Sequence, residues 1–223
     1  MKLLLTSEGF SNKSIKKAFQ KLLEKPITKV KLAFIPTAAN VTTGDKSWLV
    51  NELIRFKEMG FAQIDIVDFT AIPRDIWLKQ FKQSDVLYFI GGNTYHLMYS
   101  IKKTGLDKIL PSLLKKRIYI GSSAGSIVMG EKLTTKTFAK YYSKEIPRFK
   151  GDNGMRFINF SIRPHFMRKD CLEYDNKNLK NMVKKFKTTI YALDDNTAIV
   201  VDGDKLEVVS EGKWEKFISK SIN

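Results

Sequence analysis

The sequence predicts an α/β chain: a three-layer αβα sandwich around a mostly parallel central sheet. Three observations carry this reading. Short apolar runs recur along the chain, among them Leu3–Leu5, Val30–Ile35 and Ile118–Ile120. Between them lie stretches whose apolar residues repeat every three or four positions, as on one face of a helix. Several apolar runs stop at small polar loops, the arrangement of strands buried on both faces and joined by crossover helices.

Composition fits. Hydrophobic residues make up 43% of the 223 residues, enough for a core and too many for a disordered chain. No apolar run approaches the ~20 residues needed to cross a bilayer. The N-terminal Met1–Thr6 reads as a strand and not as a signal peptide. A single cysteine, Cys171, excludes an internal disulfide. These features point to a cytoplasmic protein with no membrane partner. The chain is expected to be one domain over residues 1–223, a monomer or a homodimer.

The elements follow in order. Lys2–Thr6 is a strand. Ser11 or Asn12 caps a helix over Lys13–Glu24 that Pro26 ends. Val30–Ile35 is a second strand, and Thr37–Asp45 a small polar loop. Ser47–Met59 reads as a helix with Leu49, Val50, Leu53, Ile54 and Phe56 inward, closed by Gly60. Ala62–Phe69 alternates as a third strand. A short helix over Pro73–Phe81 leads to a fourth strand, Asp85–Ile90, which runs into Gly91-Gly92-Asn93-Thr94. Two helices, Tyr95–Lys103 and Leu106–Lys116, flank Gly105. Arg117–Ile120 is the fifth strand.

Beyond it the pattern weakens. Glu131–Phe157 reads as a long loop, of the kind that tends to carry function. Ile158–Arg163 resumes as a strand and ends at Pro164-His165. A helix over Asp170–Phe186 and a strand over Thr189–Leu193 precede the turn Asp194-Asp195-Asn196. Thr197–Val201 and Leu206–Ser210 form a C-terminal hairpin around Asp202-Gly203-Asp204. Lys213–Ile218 adds a last strand.

Chemistry concentrates at Gly121-Ser122-Ser123-Ala124-Gly125, a Gly-x-Ser-x-Gly turn between two apolar runs. A strand that ends, turns sharply and enters a helix presents its central serine at the sheet's carboxyl edge. The motif is short, and a plain polar turn would read the same. Its strand–turn–helix context is what makes Ser123 a nucleophile candidate. A serine hydroxyl needs a base within hydrogen-bond reach, and that base needs an orienting partner. The chain has two histidines. His165 stands at a strand end on the same sheet edge. His96 falls inside a predicted helix, where a structural or substrate-side role fits better. The Ala124 amide and the Gly91-Gly92 backbone are candidate donors to an oxyanion.

The formal net charge is +16. Such a surface attracts anions and nucleic acid. The lysines, however, are dispersed over helix faces with no interleaved aromatics and no nucleic-acid motif, so a solvated surface is the expectation. Two histidines and one cysteine leave little for a nitrogen–sulfur metal site. No cofactor is expected.

Three segments together carry a family resemblance: Phe89-Ile90-Gly91-Gly92-Asn93-Thr94-Tyr95-His96-Leu97, Gly121–Ser126 and Arg163-Pro164-His165-Phe166. In order and spacing the chain resembles the peptidase E (aspartyl dipeptidase) and cyanophycinase family over nearly its whole length. The Asp194–Ala198 turn is similar too. The resemblance implies a class I glutamine amidotransferase-like (flavodoxin-like) fold and a serine peptidase acting on short peptides, typically with an N-terminal aspartate or a β-aspartyl link. It implies Ser123 as nucleophile, His165 as base, and Gly92 and Ala124 as oxyanion donors. Gly91, Asn93 and Thr94 then line the substrate site, and Arg163, Arg168 or Lys169 supply the cation an aspartyl group needs. The family's acid lies between nucleophile and histidine. Spacing there favours Glu145, with Asp152 second; Asp194 and Asp195 are further candidates for orienting groups from across the site. Two other readings stay open, another acyl hydrolase such as an esterase and a non-catalytic protein using its basic surface.

Overall fold

The structure is a computed structural model that describes residues 1–133, 146–169 and 176–218. Five strands run parallel: β1 (Lys2–Thr6), β2 (Lys31–Ile35), β3 (Gln63–Ile66), β4 (Val86–Phe89) and β5 (Ile118–Ser122). The central sheet has seven strands in the order β3-β2-β4-β5-β1-β8-β9, with β8 (Thr197–Asp202) and β9 (Lys205–Ser210) completing it. A second sheet, β10-β7-β6, joins Trp214–Phe217, Ile190–Leu193 and Ser161–Arg163.

The predicted hairpin is thus part of the main sheet. β8 pairs antiparallel with β1, Leu4 opposite Val200. This places the start of β8 beside the carboxyl end of β1, with Thr6 opposite Ala198.

Alternation along the strands builds two cores. Leu3, Leu5, Phe89 and Tyr119 face one layer, made by α4 (Arg74–Gln83), α5 (Thr94–Thr104), α6 (Leu106–Leu113) and α7 (Ala124–Ile127). Leu4, Phe34, Tyr88 and Ile120 face the other, made by α1 (Lys13–Leu22) and α3 (Ser47–Met59). A side chain on each face every second residue is what a strand buried on both sides requires. A short α2 (Thr37–Asn40) sits in the predicted polar loop. α8 (Asn176–Phe186) covers the small sheet through Leu179, Met182 and Val183.

Asn12 caps α1, its side chain accepting from the Ile15 amide at 3.0 Å. Gly60 closes α3 in the left-handed conformation. The inward face of α3 differs from expectation. Val50 and Ile54 are exposed, and Glu52 is buried instead, at 5% exposure. Its carboxyl meets the Tyr88 hydroxyl and lies 3.0 Å from Arg55 Nη1, partners that make burial of a carboxyl tolerable. The third strand is also shorter than its alternation suggests, although Val67 and Phe69 beyond it are buried as that alternation requires.

Candidate active site

The carboxyl ends of β1, β2, β4, β5, β6 and β7 carry the residues of interest, as parallel α/β sheets generally do. β5 delivers Ser123 into a backbone conformation of φ 47°, ψ −106°. Positive φ at a non-glycine residue is strained and persists only where the surroundings over-determine it. Here they do. The Ser123 amide donates to the Thr6 carbonyl at 3.1 Å, and its own carbonyl accepts from Ser126 and Ile127 at 2.9 Å. The Ser126 hydroxyl lies 2.7 Å from the Thr6 carbonyl and 2.8 Å from that of Gly121.

Glycine is obligatory on both sides of the serine. A Cβ on Gly121 would lie 2.6 Å from the Gly125 carbonyl carbon, and one on Gly125 would lie 2.0 Å from the Phe89 oxygen. The turn therefore packs directly on β4, and Ser123 is more exposed than its four neighbours in the motif.

His165 follows β6 with φ 60°. Its amide donates to Ser7 Oγ at 2.8 Å. Its ring lies between two partners: Nε2 is 3.1 Å from Ser123 Oγ, and Nδ1 is 2.5 Å from Asp195 Oδ1. The same Asp195 oxygen accepts from the Ser7 hydroxyl at 2.9 Å. Arg168 brings Nη1 to 3.0 Å from His165 Nδ1 and 3.5 Å from Asp195 Oδ2.

The carboxylate on the imidazole is thus Asp195, from the turn after β7. Glu145 lies outside the described residues. Asp152 sits elsewhere: its carbonyl accepts from Leu133, beside the bridge between Lys132 and Asn153. Burial disfavours the ionised form of Asp195. Hydrogen bonding from His165, the His165 charge, and hydrogen bonds from Glu8 and Ser7 outweigh it, holding the carboxyl well below the usual range.

The Gly91-Gly92 loop lies against Ser123. A Cβ built on Gly91 would fall 3.2 Å from Ser123 Cβ. Gly92 has φ 133°, and a Cβ there would meet the Ala38 oxygen at 2.3 Å. Ala38 belongs to α2, and its carbonyl also takes the Asn93 amide at 2.8 Å. Asn93 caps α5, accepting from the His96 amide at 2.9 Å, while its Nδ2 is buried with no partner among the described residues. Thr94 is buried beside it. The Ala124 amide, first in its short helix, has no acceptor within the helix.

Arg163 corrects one expectation. Its side chain is fully buried and tied to the carbonyls of Ile162, Lys132 and Leu133 at 2.7, 3.2 and 2.6 Å. It braces the start of the segment after α7 and does not face a substrate. Arg168 is part-exposed at the site, and Lys169 is exposed. His96, for which a structural or substrate-side role is expected, has Nδ1 2.9 Å from the Pro147 carbonyl.

Sequence reasoning missed Ser7 and Glu8. They stand directly after β1 at the same edge as Ser123 and His165, and that position was their one signal. Glu8, His165 and Asp195 each bring one donor atom to within 4.8 Å of the others, the group among the described residues with a metal-binding spacing. Within this group His165 Nδ1 and Asp195 Oδ1 already engage one another. No described helix is long and apolar enough to cross a membrane.

The family model of peptidase family S51 matches residues 3–209. The chain belongs to peptidase family S51. Among relatives of this S51 peptidase, the uncharacterized peptidase Lmo0363 of Listeria monocytogenes is 25% identical over 190 residues, covering 78% of this chain and 83% of its own. Peptidase E of Shewanella baltica strain OS155 is 25% identical over 195 residues, covering 84% and 78%. The crystal structure of a candidate peptidase E from L. monocytogenes EGD-e superposes with a TM-score of 0.76 at 20% identity, covering 95% of this chain and 98% of that one. The likeness in structure is one of fold, the class I glutamine amidotransferase-like sandwich that the sequence resemblance implied.

Proposed function

We propose that this S51 peptidase is a serine peptidase that hydrolyses short peptides, dipeptides with an N-terminal aspartate foremost, through an acyl-enzyme. The observation that carries the reading is the 3.1 Å approach of Ser123 Oγ to His165 Nε2, with Asp195 on the far side of the ring. In this reading Ser123 Oγ attacks the scissile carbonyl carbon while its proton passes to His165 Nε2. The imidazolium is stabilised by Asp195, which also holds the ring in the tautomer that leaves Nε2 free to accept. The Gly92 and Ala124 amides receive the oxyanion. His165 then returns the proton to the leaving amine as the C–N bond breaks. Water attacks the resulting ester by the same route and frees Ser123.

Asp195, and not Glu145, fills the orienting role in this reading. For the substrate's aspartyl carboxylate this reading assigns the part-exposed Arg168, whose Nη1 lies 3.0 Å from His165 Nδ1, and the resemblance to the peptidase E family implies the same substrate class.

The test is a panel of Asp-X, β-Asp-X and Ala-X dipeptides with a simple ester, run on the wild type and Ser123→Ala. Turnover of an Asp-X dipeptide that Ser123→Ala abolishes is the expected result. Turnover of the ester alone, or no turnover by folded protein, overturns the proposal.

A further inference from the structure

Glu8 has no part in the reaction as written, yet one of its carboxyl oxygens lies within 4.8 Å of one on Asp195. Two carboxylates at that spacing repel each other, which favours a proton on one of them. Asp195 is the member already served as an anion: it accepts from Ser7 Oγ and His165 Nδ1, and Arg168 lies 3.5 Å from its second oxygen. The proton therefore belongs to Glu8. Charged and titratable groups act on Glu8 from three neighbouring segments: Asp195 from the β7–β8 turn, His165 and Arg168 from the segment after β6, and Arg55 from α3. Its backbone is held as well. Ser7 on one side binds both His165 and Asp195, and Gly9 on the other donates to Thr6 Oγ1 at 2.8 Å, with Glu52 closing over it.

We infer that Glu8 is a positioning residue for the Ser123–His165–Asp195 chain: as the neutral acid it donates to Asp195 and keeps that carboxylate on the imidazole, and when it ionises it withdraws that support. The inference rests on the serine peptidase reading and extends it to a fourth side chain. Burial, then the hydrogen bond and charge of Asp195, push the Glu8 carboxyl up to about 7 against the pull of Arg168 and Arg55, so the change falls near neutrality.

Two readouts test it. With glutamate labelled at the side-chain carboxyl carbon, the signal missing from Glu8→Gln identifies Glu8. Its titration is expected near neutrality in the wild type and lower in Asp195→Asn, whose neighbour carries no charge. Titration in the ordinary carboxylate range overturns the inference. The second readout is kcat against pH. Glu8→Ala is expected to lower kcat roughly tenfold with little change in KM, as loss of a hydrogen bond to a charged group does. Glu8→Gln keeps a donor, restores the rate and removes the decline above neutrality seen in the wild type. Wild-type and Glu8→Gln profiles of one shape overturn it. Should no peptide be turned over while Glu8 titrates near neutrality, the peptidase reading falls and the sharing of a proton with Asp195 stands.

Discussion

Asp195 Oδ1 approaches His165 Nδ1 to 2.5 Å from the turn that joins the small sheet to the central one. This carboxylate follows the histidine in the chain, whereas spacing within the family pattern points to the segment before it. Asp195→Asn is expected to cut kcat by about 10⁴-fold with folding intact, the scale seen when a triad acid no longer fixes the tautomer. Asp152→Asn is expected to leave kcat unchanged. Steady-state kinetics on an Asp-X dipeptide, with thermal melts of each variant, decides between them. A rate loss confined to Glu145→Gln would return the role to that residue.

Gly92 gives the sharpest steric prediction. A methyl group there meets the Ala38 carbonyl at 2.3 Å, and φ 133° is itself closed to other residues. Gly92→Ala must move the loop that faces Ser123. The expected outcome is a fall in kcat of about 10²–10³-fold, the weight of one oxyanion donor. KM measured alongside should change far less.

The two arginines flanking His165 should separate cleanly. Arg163→Met removes a buried cation from three carbonyls, leaving acceptors unpaired at about 1–3 kcal/mol each before any gain from the apolar replacement. A lower Tm is expected, with KM unchanged. Arg168→Gln should leave the Tm alone and lower kcat/KM for Asp-X more than for Ala-X dipeptides.

Asp68 supplies a pH prediction. Burial opposes its charge, but hydrogen bonds from Thr70, Thr37 and Asn40 outweigh it and lower its pKa. The folded state therefore binds this proton less readily than the unfolded chain. The stability so gained is present above the unfolded value near 4 and is lost as pH falls through the lower folded value. Asp68→Asn should melt below the wild type at pH 7, with the gap closing towards pH 3. Thr37 and Asn40 bound α2, whose Ala38 carbonyl meets the Gly92 loop, so the same variant should also lose activity at pH 7.

Much of this architecture is legible from local pattern alone. The strands β1, β2, β4 and β5 are short apolar runs ending at polar loops, and both faces of each are buried. Ser123 is readable because a glycine at either side has no steric alternative. His165 is readable because few histidines compete with it. Asp195 is hard to rank from local pattern, since its closeness to His165 arises from β6 pairing with β7, Arg163 opposite Ala192. Ser7 and Glu8 join them through β8 pairing with β1, a contact between distant parts of the chain. The inward turn of Glu52 was illegible for a different reason: its burial is set by Tyr88 and Arg55, and periodicity counts only apolar residues.

The hydrogen bonds that build the site span almost the whole chain. Ser7 reaches a partner 158 residues away in His165 and one 188 residues away in Asp195. Contacts of such sequence separation close late, because the loop entropy must be met before they form. During refolding, helical signal and even most of the parallel sheet should therefore recover before turnover does. Returning activity would report the moment β8 docks along β1, and a chain stalled just short of that step would look nearly native by circular dichroism while remaining inert.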